Sequence, residues 1–230
     1  MRRLIELITT LLGWSRYKLG FRIKSTSGMV KVNLGCGLAV TTGWINVDGS
    51  LNAFVATLPE VFHRLAFRLS GANRYYSEPE YRHLLASNTF FHANLSYGIP
   101  SKNESVDFVY SSHFLEHLCP SEAESFLREC LRILKPGGVI RVCVPDLAYA
   151  MKMYSSGRKQ EALDKYFFVE DKGSFYARHK YMYDLELLSN LLSEIGFKSI
   201  RQYDYRVGNV PDIELLDNRP EDTLFVEAKK

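Results

Sequence analysis

The 230-residue sequence predicts an α/β fold, a doubly wound and mostly parallel sheet of about seven strands. Two observations lead to this prediction. Short apolar runs alternate along the chain with helix-like stretches, the pattern of parallel strands joined by helices. One of those runs, Val139–Val144, is too apolar for anything but a central strand. With 46% hydrophobic and 24% charged residues, the composition fits one globular domain.

The expected strands follow from the apolar runs and from the turns that bound them. Gly35-Cys36-Gly37 ends the first strand, and Asp48 stands at the tip of the second. Only ten residues separate Gly37 from Asp48, too few for a crossover helix plus a strand, so a turn is expected there. The seven predicted strands are Met29–Leu34, Trp44–Val47, Thr89–His92, Val106–Ser111, Val139–Val144, Ser199–Tyr205 and Thr223–Ala228.

The helices are predicted from their start and stop signals. Ser121 and Glu124 read as a capping box, and Pro136-Gly137-Gly138 is expected to stop the helix that follows. Asp184 is expected to cap Leu185–Ile195, which Gly196 ends. Two more helices, near Phe54–Leu69 and Glu78–Ala86, form a predicted helical insertion at about 51–88 of the main domain, which covers 29–230.

Residues 1–28 are expected to form an N-terminal basic helix and a linker. The apolar run is far shorter than the roughly 20 residues of a membrane-spanning helix, and Glu6 interrupts it. Two roles stay open: a lid packed on the active site, or a helix lying on an anionic membrane surface with Trp14, Tyr17 and Phe21 beside basic residues. A cleaved targeting peptide is a third alternative. The apolar positions at helical spacing are Leu4, Ile5, Ile8, Leu11 and Leu12.

Charge and cysteine content argue against a nucleic-acid-binding protein and against a disulfide-stabilised one. A formal charge of +3 is too small to indicate a nucleic-acid partner. The four cysteines form no CxxC pair, which favours reduced thiols in a cytoplasmic protein. No residues stand at a spacing typical of metal ligands, so no metal site is predicted.

A glycine turn after a buried strand lets backbone approach a ligand, and an acid on the next strand accepts both hydroxyls of a ribose. Gly35, Gly37 and Asp48 supply these elements. The segments that carry them resemble class I S-adenosylmethionine-dependent methyltransferases of the type 11 kind, with a Rossmann-like fold and an antiparallel last strand. The three matching segments are Val30–Gly37, Val106–Leu118 and Leu131–Ile140.

The resemblance implies S-adenosyl-L-methionine as the cofactor, with Gly35 and Gly37 beneath its methionine and ribose portions and Asp48 on the ribose hydroxyls. Asn33 replaces an acid common in the family, and its amide oxygen would accept from the amino group. The other implied cofactor contacts are Asn94 and Leu95 at the adenine, and Ser111 and Ser112 near the sulfonium.

The segment Gly43–Asp48 resembles a group of methyltransferases linked to polysaccharide and glycolipid pathways. This implies O-methylation of a sugar, a glycolipid or another small molecule, a reaction that needs a base for the acceptor hydroxyl. His179 is the leading candidate, followed by His113 and His117 after the fourth strand and Asp146 after the fifth. A catalytically inactive scaffold that binds the cofactor remains the alternative function, because Asn33 and Asn94 depart from the family pattern.

Overall fold

Seven strands form one sheet at the centre of the computed structural model, which describes residues 2–23, 28–168 and 178–230. They are β1 (Lys31–Leu34), β2 (Ile45–Asp48), β3 (Thr89–His92), β4 (Val106–Ser112), β5 (Leu134–Pro145), β6 (Lys198–Tyr203) and β7 (Thr223–Lys229). Their order is β3-β2-β1-β4-β5-β7-β6. The first five strands are parallel to one another, and β7 runs antiparallel to both β5 and β6. The predicted fold class, including the antiparallel last strand, is confirmed.

The described α-helices lie mostly where the sequence predicts them. Leu185–Ile195 has the predicted bounds, with Asp184 accepting the Leu187 N–H at 2.9 Å and Gly196 in the left-handed conformation. No helix lies between β1 and β2, as the short link predicts. The helices are α1 (Arg2–Lys18), α2 (Leu51–Val55), α3 (His63–Leu69), α4 (Glu78–Ser87), α5 (Pro120–Ile133), α6 (Leu147–Ser155), α7 (Lys159–Ala162), α8 (Leu185–Ile195) and α9 (Ile213–Leu216).

Three local predictions are wrong. The capping residue of α5 is Cys119, whose N–H donates to Glu122 at 2.7 Å, because Pro120 takes the first helical position two residues before the predicted start. The stretch predicted as one helix at Phe54–Leu69 is split at Pro59, which cannot donate the hydrogen bond of a helix interior. The Pro136-Gly137-Gly138 turn does not stop α5; it lies inside β5, at an irregularity in the pairing with β4.

The helices α5 and α8 pack on the sheet through a buried cluster that includes Leu127, Leu188 and Leu192. The insertion packs its own cluster, with Tyr81 and Leu85, against β3 and against Cys36 of the glycine turn. Each of these side chains is nearly or fully removed from water, which stabilises the fold by roughly 1.5–3 kcal/mol apiece. The carboxyl ends of β1, β2 and β4 are left open between the insertion and α5.

The helix α1 is amphipathic in an unusual sense. Thr9 and Gly13 are buried against the domain, whereas Leu7, Leu11 and Trp14 face outward with about half of their surface exposed. Small and polar residues therefore form much of the contact with the protein, together with Ile5, and most of the large apolar residues lie on the free face. Residues 24–27 of the predicted linker lie outside the described residues.

Candidate active site at the carboxyl ends of the strands

A cavity of about 400 Å³ lies at the carboxyl ends of β1, β2 and β4. Ligands of doubly wound folds bind at this edge, because the connections diverge there to opposite faces of the sheet. Four residues of α1 close one side of the cavity: Ile5, Glu6, Thr9 and Thr10. The predicted cofactor and catalytic residues among its lining are Gly35, Gly37, Asp48, Asn94, Leu95, His113 and His117.

The backbone conformation of the turn after β1 favours glycine at both Gly35 and Gly37. Gly35 has φ 68° and Gly37 has φ 52°, where a side chain is strained. A Cβ on Gly35 would also lie 2.4 Å from the ring of Phe114, so the turn after β1 packs closely on the turn after β4. Nothing lies within 4 Å of a Cβ built on Gly37, which leaves its backbone open on the cavity side.

Asp48 is held in place by backbone donors. Its Oδ2 accepts the N–H of Gly37 at 3.0 Å, and its Oδ1 accepts the N–H of Ser50 at 2.7 Å. A carboxylate oxygen has two acceptor positions, so each oxygen keeps one for a hydroxyl. The residue thus fits the pair of ribose hydroxyls that the sequence predicts for it.

Asn94 and Leu95 both line the cavity, and Leu95 is 8% exposed. The Asn94 carbonyl oxygen already accepts the N–H of Ser96 at 3.0 Å and also contacts the Ser96 hydroxyl. It is therefore engaged locally, which weakens its predicted role as the acceptor of the adenine amino group. Gly13 of α1 packs directly on Asn94, since a Cβ on this glycine would lie 2.9 Å from Asn94 Cβ.

Three predicted cofactor contacts do not line the cavity. The Asn33 amide donates to Ala39 O at 2.9 Å and to Asn46 Oδ1 at 3.1 Å, joining β1 to β2 and to the glycine turn. Ser111 is 1% exposed within β4, and Ser112 follows it at the end of that strand. Both bonds use the amide nitrogen of Asn33, whereas the predicted contact with the amino group uses its amide oxygen, so the assignments of Asn33, Ser111 and Ser112 stay predictions.

The turn after β4 carries a cluster of histidines around one buried carboxylate. Glu116 is 1% exposed, and its Oε1 lies 3.5 Å from His113 Nδ1 and 3.8 Å from His117 Nε2. His179 reaches the same place from the segment before α8, with its ring centroid 5.2 Å from that of His117. Three of the four predicted catalytic residues are therefore brought together, although His179 itself does not line the cavity.

The cluster is electrostatically coupled. Burial alone raises the pKa of the Glu116 carboxyl, but its interactions with His113 and His117 outweigh burial and hold this pKa below its usual range. Burial lowers the pKa of His179, so this imidazole is neutral at pH 7. Glu116 is thus a buried carboxylate, and its Oε2 has no hydrogen-bonding partner among the described residues.

Asp146, the fourth catalytic candidate, and His113 of the cluster both have clear structural contacts. Asp146 Oδ1 accepts the Ala148 N–H at 2.9 Å and caps α6, and Asp146 does not line the cavity. His113 lines the cavity, yet its Nε2 lies 3.1 Å from Thr223 Oγ1 and its Nδ1 lies 3.2 Å from the Arg219 guanidinium. Both nitrogens of His113 are therefore engaged by the protein.

Sequence reasoning missed two parts of the site. Glu116 is not among the predicted site residues, although the spacing His113-x-x-Glu116-His117 is visible in the sequence. The ion pair of Lys180 with Glu122, at 3.1 Å, also borders the cavity and joins residues far apart in the chain.

The site and fold have known relatives. Residues 32–142 match the family model described as a methyltransferase domain. A SAM-dependent methyltransferase from Archaeoglobus fulgidus aligns over 98% of this chain and 94% of its own, with a TM-score of 0.50 and 16% identity. A SAM-dependent methyltransferase from Thermotoga maritima, described as a possible histamine N-methyltransferase, aligns over 99% and 91%, with a TM-score of 0.52 and 15% identity. No curated protein is significantly similar in sequence.

At sequence identities this low, the similarity to the two solved structures shows a common fold only. The family match adds the class of protein, because it covers β1 to β5 and therefore the glycine turn, Asp48 and the Glu116 turn. The chain carries a methyltransferase domain and is an S-adenosylmethionine-dependent methyltransferase. S-adenosylmethionine is accordingly its cofactor.

Proposed function

We propose that this enzyme methylates a hydroxyl oxygen of a sugar, a glycolipid or another small molecule, in cytoplasmic assembly of polysaccharides or glycolipids. The observation that carries the choice of oxygen is the histidine cluster around Glu116, whose members His113 and His117 line the same cavity as Asp48. An alcohol must lose its proton during methyl transfer, and groups that titrate near neutral pH are suited to take it.

The proposed cofactor contacts are Gly37 and Asp48 at the ribose, with Leu95 against the adenine and Asn94 at the edge of the ring. S-adenosylmethionine supplies the methyl group: the acceptor oxygen bonds the methyl carbon while the carbon–sulfur bond breaks and its electron pair stays on sulfur. Within the Glu116 cluster His117 receives the hydroxyl proton on Nε2, since it lines the cavity and its Nδ1 faces the Arg178 carbonyl at 3.0 Å.

The test is release of S-adenosylhomocysteine in the presence of a panel of glycans, lipid-linked sugars and small alcohols. We expect turnover with a hydroxyl acceptor, and we expect His117→Ala to lower kcat by about 10²–10⁴-fold while the Kd of the cofactor stays near that of the wild type. Asp146→Ala is the matched control, because Asp146 caps α6 outside the cavity. Equal loss of kcat in both variants would argue against the assignment.

A catalytically inactive scaffold is the second candidate. It is favoured by the engaged carbonyl of Asn94 and by the two engaged nitrogens of His113. Such a protein would bind S-adenosylmethionine without turning it over on any acceptor, and His117→Ala would leave it unchanged.

The helix α1 has two proposed roles that do not exclude each other. Its inner face, with Ile5, Thr9 and Gly13, would close the cavity as a lid over the cofactor. Its outer face would rest on an anionic membrane surface, because Leu7 is 55%, Leu11 58% and Trp14 48% exposed. None of the described helices is long and apolar enough to cross a bilayer.

Two further features support the membrane contact. The insertion exposes Val61 and Leu65, at 76% and 60%, and its Leu69 borders the cavity beside α1. Lys18 lies over the Trp14 ring with its Nζ 5.9 Å from the centroid, so a positive charge accompanies the apolar face. This arrangement suits an acceptor that is anchored in a membrane by a lipid.

Flotation with liposomes containing phosphatidylglycerol tests the contact. The wild type is expected to float with these vesicles, less so at high salt, and Leu11→Glu is expected to stay at the bottom of the gradient. Leu215→Glu is the control, since Leu215 is 64% exposed on α9. Absence of flotation by the wild type would exclude the membrane role and leave the lid role standing.

A further inference from the structure

Glu116 is a buried carboxylate with unused bonding capacity. It lies in the single helical turn Leu115–His117, and only 1% of its surface is exposed. Its Oε1 faces histidine nitrogens at 3.5 and 3.8 Å, both longer than a normal hydrogen bond, and its Oε2 has no partner among the described residues. A buried carboxylate oxygen without a partner is costly, so something in the working enzyme is expected to satisfy it.

The two histidines beside it are oriented by backbone carbonyls. His117 Nδ1 lies 3.0 Å from Arg178 O, and His179 Nδ1 lies 2.9 Å from Tyr166 O. A carbonyl accepts only from a protonated nitrogen, so each neutral imidazole keeps its lone pair on Nε2. Histidines that ligate metals are typically fixed in this way, by a donor bond from the other nitrogen.

We propose that Glu116, His117 and His179 bind a first-row divalent cation, with Zn²⁺ as the representative ion. One ligand atom from each lies within 4.8 Å of the others. Ligand atoms about 2.1 Å from one ion stand roughly 3–3.5 Å apart, so the widest separation would have to shorten by no more than about 2 Å. His113 is not included, because Thr223 and Arg219 engage its two nitrogens.

The inference rests on the proposed function and replaces proton uptake by the cluster with activation of the acceptor oxygen by a bound cation. His117 lines the cofactor cavity, so a cation on its Nε2 would lie at the cavity wall. Three protein ligands leave at least one coordination position open, which is the arrangement of catalytic metal sites. A bound cation would supply Lewis acidity toward the acceptor oxygen.

The donor set decides the class of ion. Two imidazoles and one carboxylate suit Zn²⁺ and other late first-row cations, whereas Mg²⁺ and Ca²⁺ prefer sites built from oxygen. Spacing in the sequence gave no sign of this site, because His179 approaches from a distant segment and only the fold brings it to Glu116.

The test uses the full-length, untagged chain, stripped with EDTA and titrated with ZnCl₂ by calorimetry without S-adenosylmethionine. We expect one Zn²⁺ per chain, and no comparable binding of MgCl₂. Glu116→Gln, His117→Gln and His179→Gln should each weaken the Kd by at least about tenfold. His83→Gln is the matched control, because His83 is exposed on α4, and it should keep the wild-type Kd.

Thermal unfolding gives a second readout for variants of lowered stability. Zn²⁺ should raise the Tm of the wild type and of His83→Gln, and should not raise it in the three ligand variants. Wild-type Zn²⁺ affinity in all three ligand variants would overturn the proposal, as would stronger binding of Mg²⁺ than of Zn²⁺.

Titration of the metal-free chain with S-adenosylmethionine separates this inference from the proposed function. A chain that binds the cofactor but gains neither heat nor Tm from Zn²⁺ refutes the cation site and leaves the methyltransferase proposal in place. A chain that binds Zn²⁺ through these three residues, yet methylates no hydroxyl, supports the cation site and refutes the proposed reaction.

Discussion

Arg141 lies in the middle of β5 with no exposed side-chain surface, between the carboxylates of Asp217 and Glu227. Its Nη2 is 2.5 Å from Asp217 Oδ2, and its Nη1 is 3.1 Å from Glu227 Oε1. Tyr110 also donates to Asp217, at 3.1 Å. Asp217 therefore has charged and neutral partners that are all buried, and its loss would leave donors unsatisfied in the protein interior.

We expect Asp217→Ala to lower the free energy of unfolding by about 3–5 kcal/mol, because it removes one partner of a buried ion pair. Urea denaturation followed by circular dichroism measures the change. Glu161→Ala serves as the comparison, since it breaks an ion pair with Arg158 whose side chains are about half exposed, and it should stay close to the wild type. Similar losses in the two variants would contradict the importance of burial.

His92 gives the fold a dependence on pH. The ring has no exposed surface and packs edge-on against Phe54. Burial lowers its pKa to about 4, with a further contribution from the charge of Arg16. Since the unfolded chain binds the proton more readily, the stability is fully present above about pH 6.5 and is lost as the pH falls toward 4.

The expected loss from this group between pH 6.5 and pH 5 is about 2 kcal/mol. His92→Gln cannot take up the proton and should therefore show a flatter profile of unfolding free energy over that range. The exposed residue His83 provides the control variant, His83→Gln, whose profile should follow the wild type. Parallel profiles for His92→Gln and the wild type would show that His92 is not the group responsible.

At the scale of the elements, α1 packs beside the cofactor cavity through Gly13, which has no side chain and lies directly on Asn94. A Cβ on Gly13 would lie 2.9 Å from Asn94 Cβ and 3.1 Å from Asn94 N. The contact with Asn94 Cβ is too short to be kept without a shift, and the backbone nitrogen beside it leaves little room for Asn94 to move. A larger residue at position 13 should therefore push the helix away from the cavity.

Gly13→Leu is expected to weaken S-adenosylmethionine binding by about tenfold while the rest of the domain stays folded, because α1 adds only one wall of the cavity. Calorimetric titration measures the Kd, and circular dichroism reports the fold. Leu11→Ala is the control on the outer face, where Leu11 is 58% exposed, and it should bind like the wild type. An unchanged Kd in Gly13→Leu would exclude α1 as a lid.

Most strands and the helix α8 could be predicted because their signals are local. Parallel strands buried on both faces are continuous apolar runs, and Gly196 marks the end of α8 by its left-handed conformation. The start of α5 was predicted at the wrong residue because two local signals compete there. Pro120 and Ser121 are both typical of helix starts, and the sequence alone does not show which one is used. The sequence also did not predict that the apolar face of α1 points outward. Periodicity shows that a helix has two different faces, but it does not show which face packs against the protein.

At the scale of the whole molecule, some site residues could be predicted from local sequence signals, and others meet only through the fold. Gly37 and Asp48 are eleven positions apart, and the Gly37 N–H donates a hydrogen bond to the Asp48 carboxylate. A short sequence motif can therefore describe their geometry. Glu116 and His179, by contrast, meet only through the sheet order, which places the turn after β4 beside the segment before α8. For Asn33, likewise, a motif gives the position in the strand but not the partner of the amide nitrogen, which is Asn46 on β2.

Cofactor binding should stabilise the entire domain, because S-adenosylmethionine would bind the folded chain and not the unfolded one. At a concentration of about 100 times the Kd, the expected gain is about 2.7 kcal/mol, which raises the Tm by roughly 5–11 °C for a chain of this size. Asp48→Ala should abolish most of this shift, since it removes the carboxylate and also the acceptor of the Gly37 and Ser50 N–H groups.

Asp146→Ala separates stability from binding in the same experiment. It removes the cap of α6 and should lower the starting Tm by the equivalent of about 0.5–2 kcal/mol, yet the rise caused by the cofactor should remain, because Asp146 lies outside the cavity. Differential scanning fluorimetry with and without S-adenosylmethionine gives both values for each chain. A full Tm shift in Asp48→Ala would mean that the cofactor binds elsewhere, and a lost shift in Asp146→Ala would extend the binding site to the end of β5.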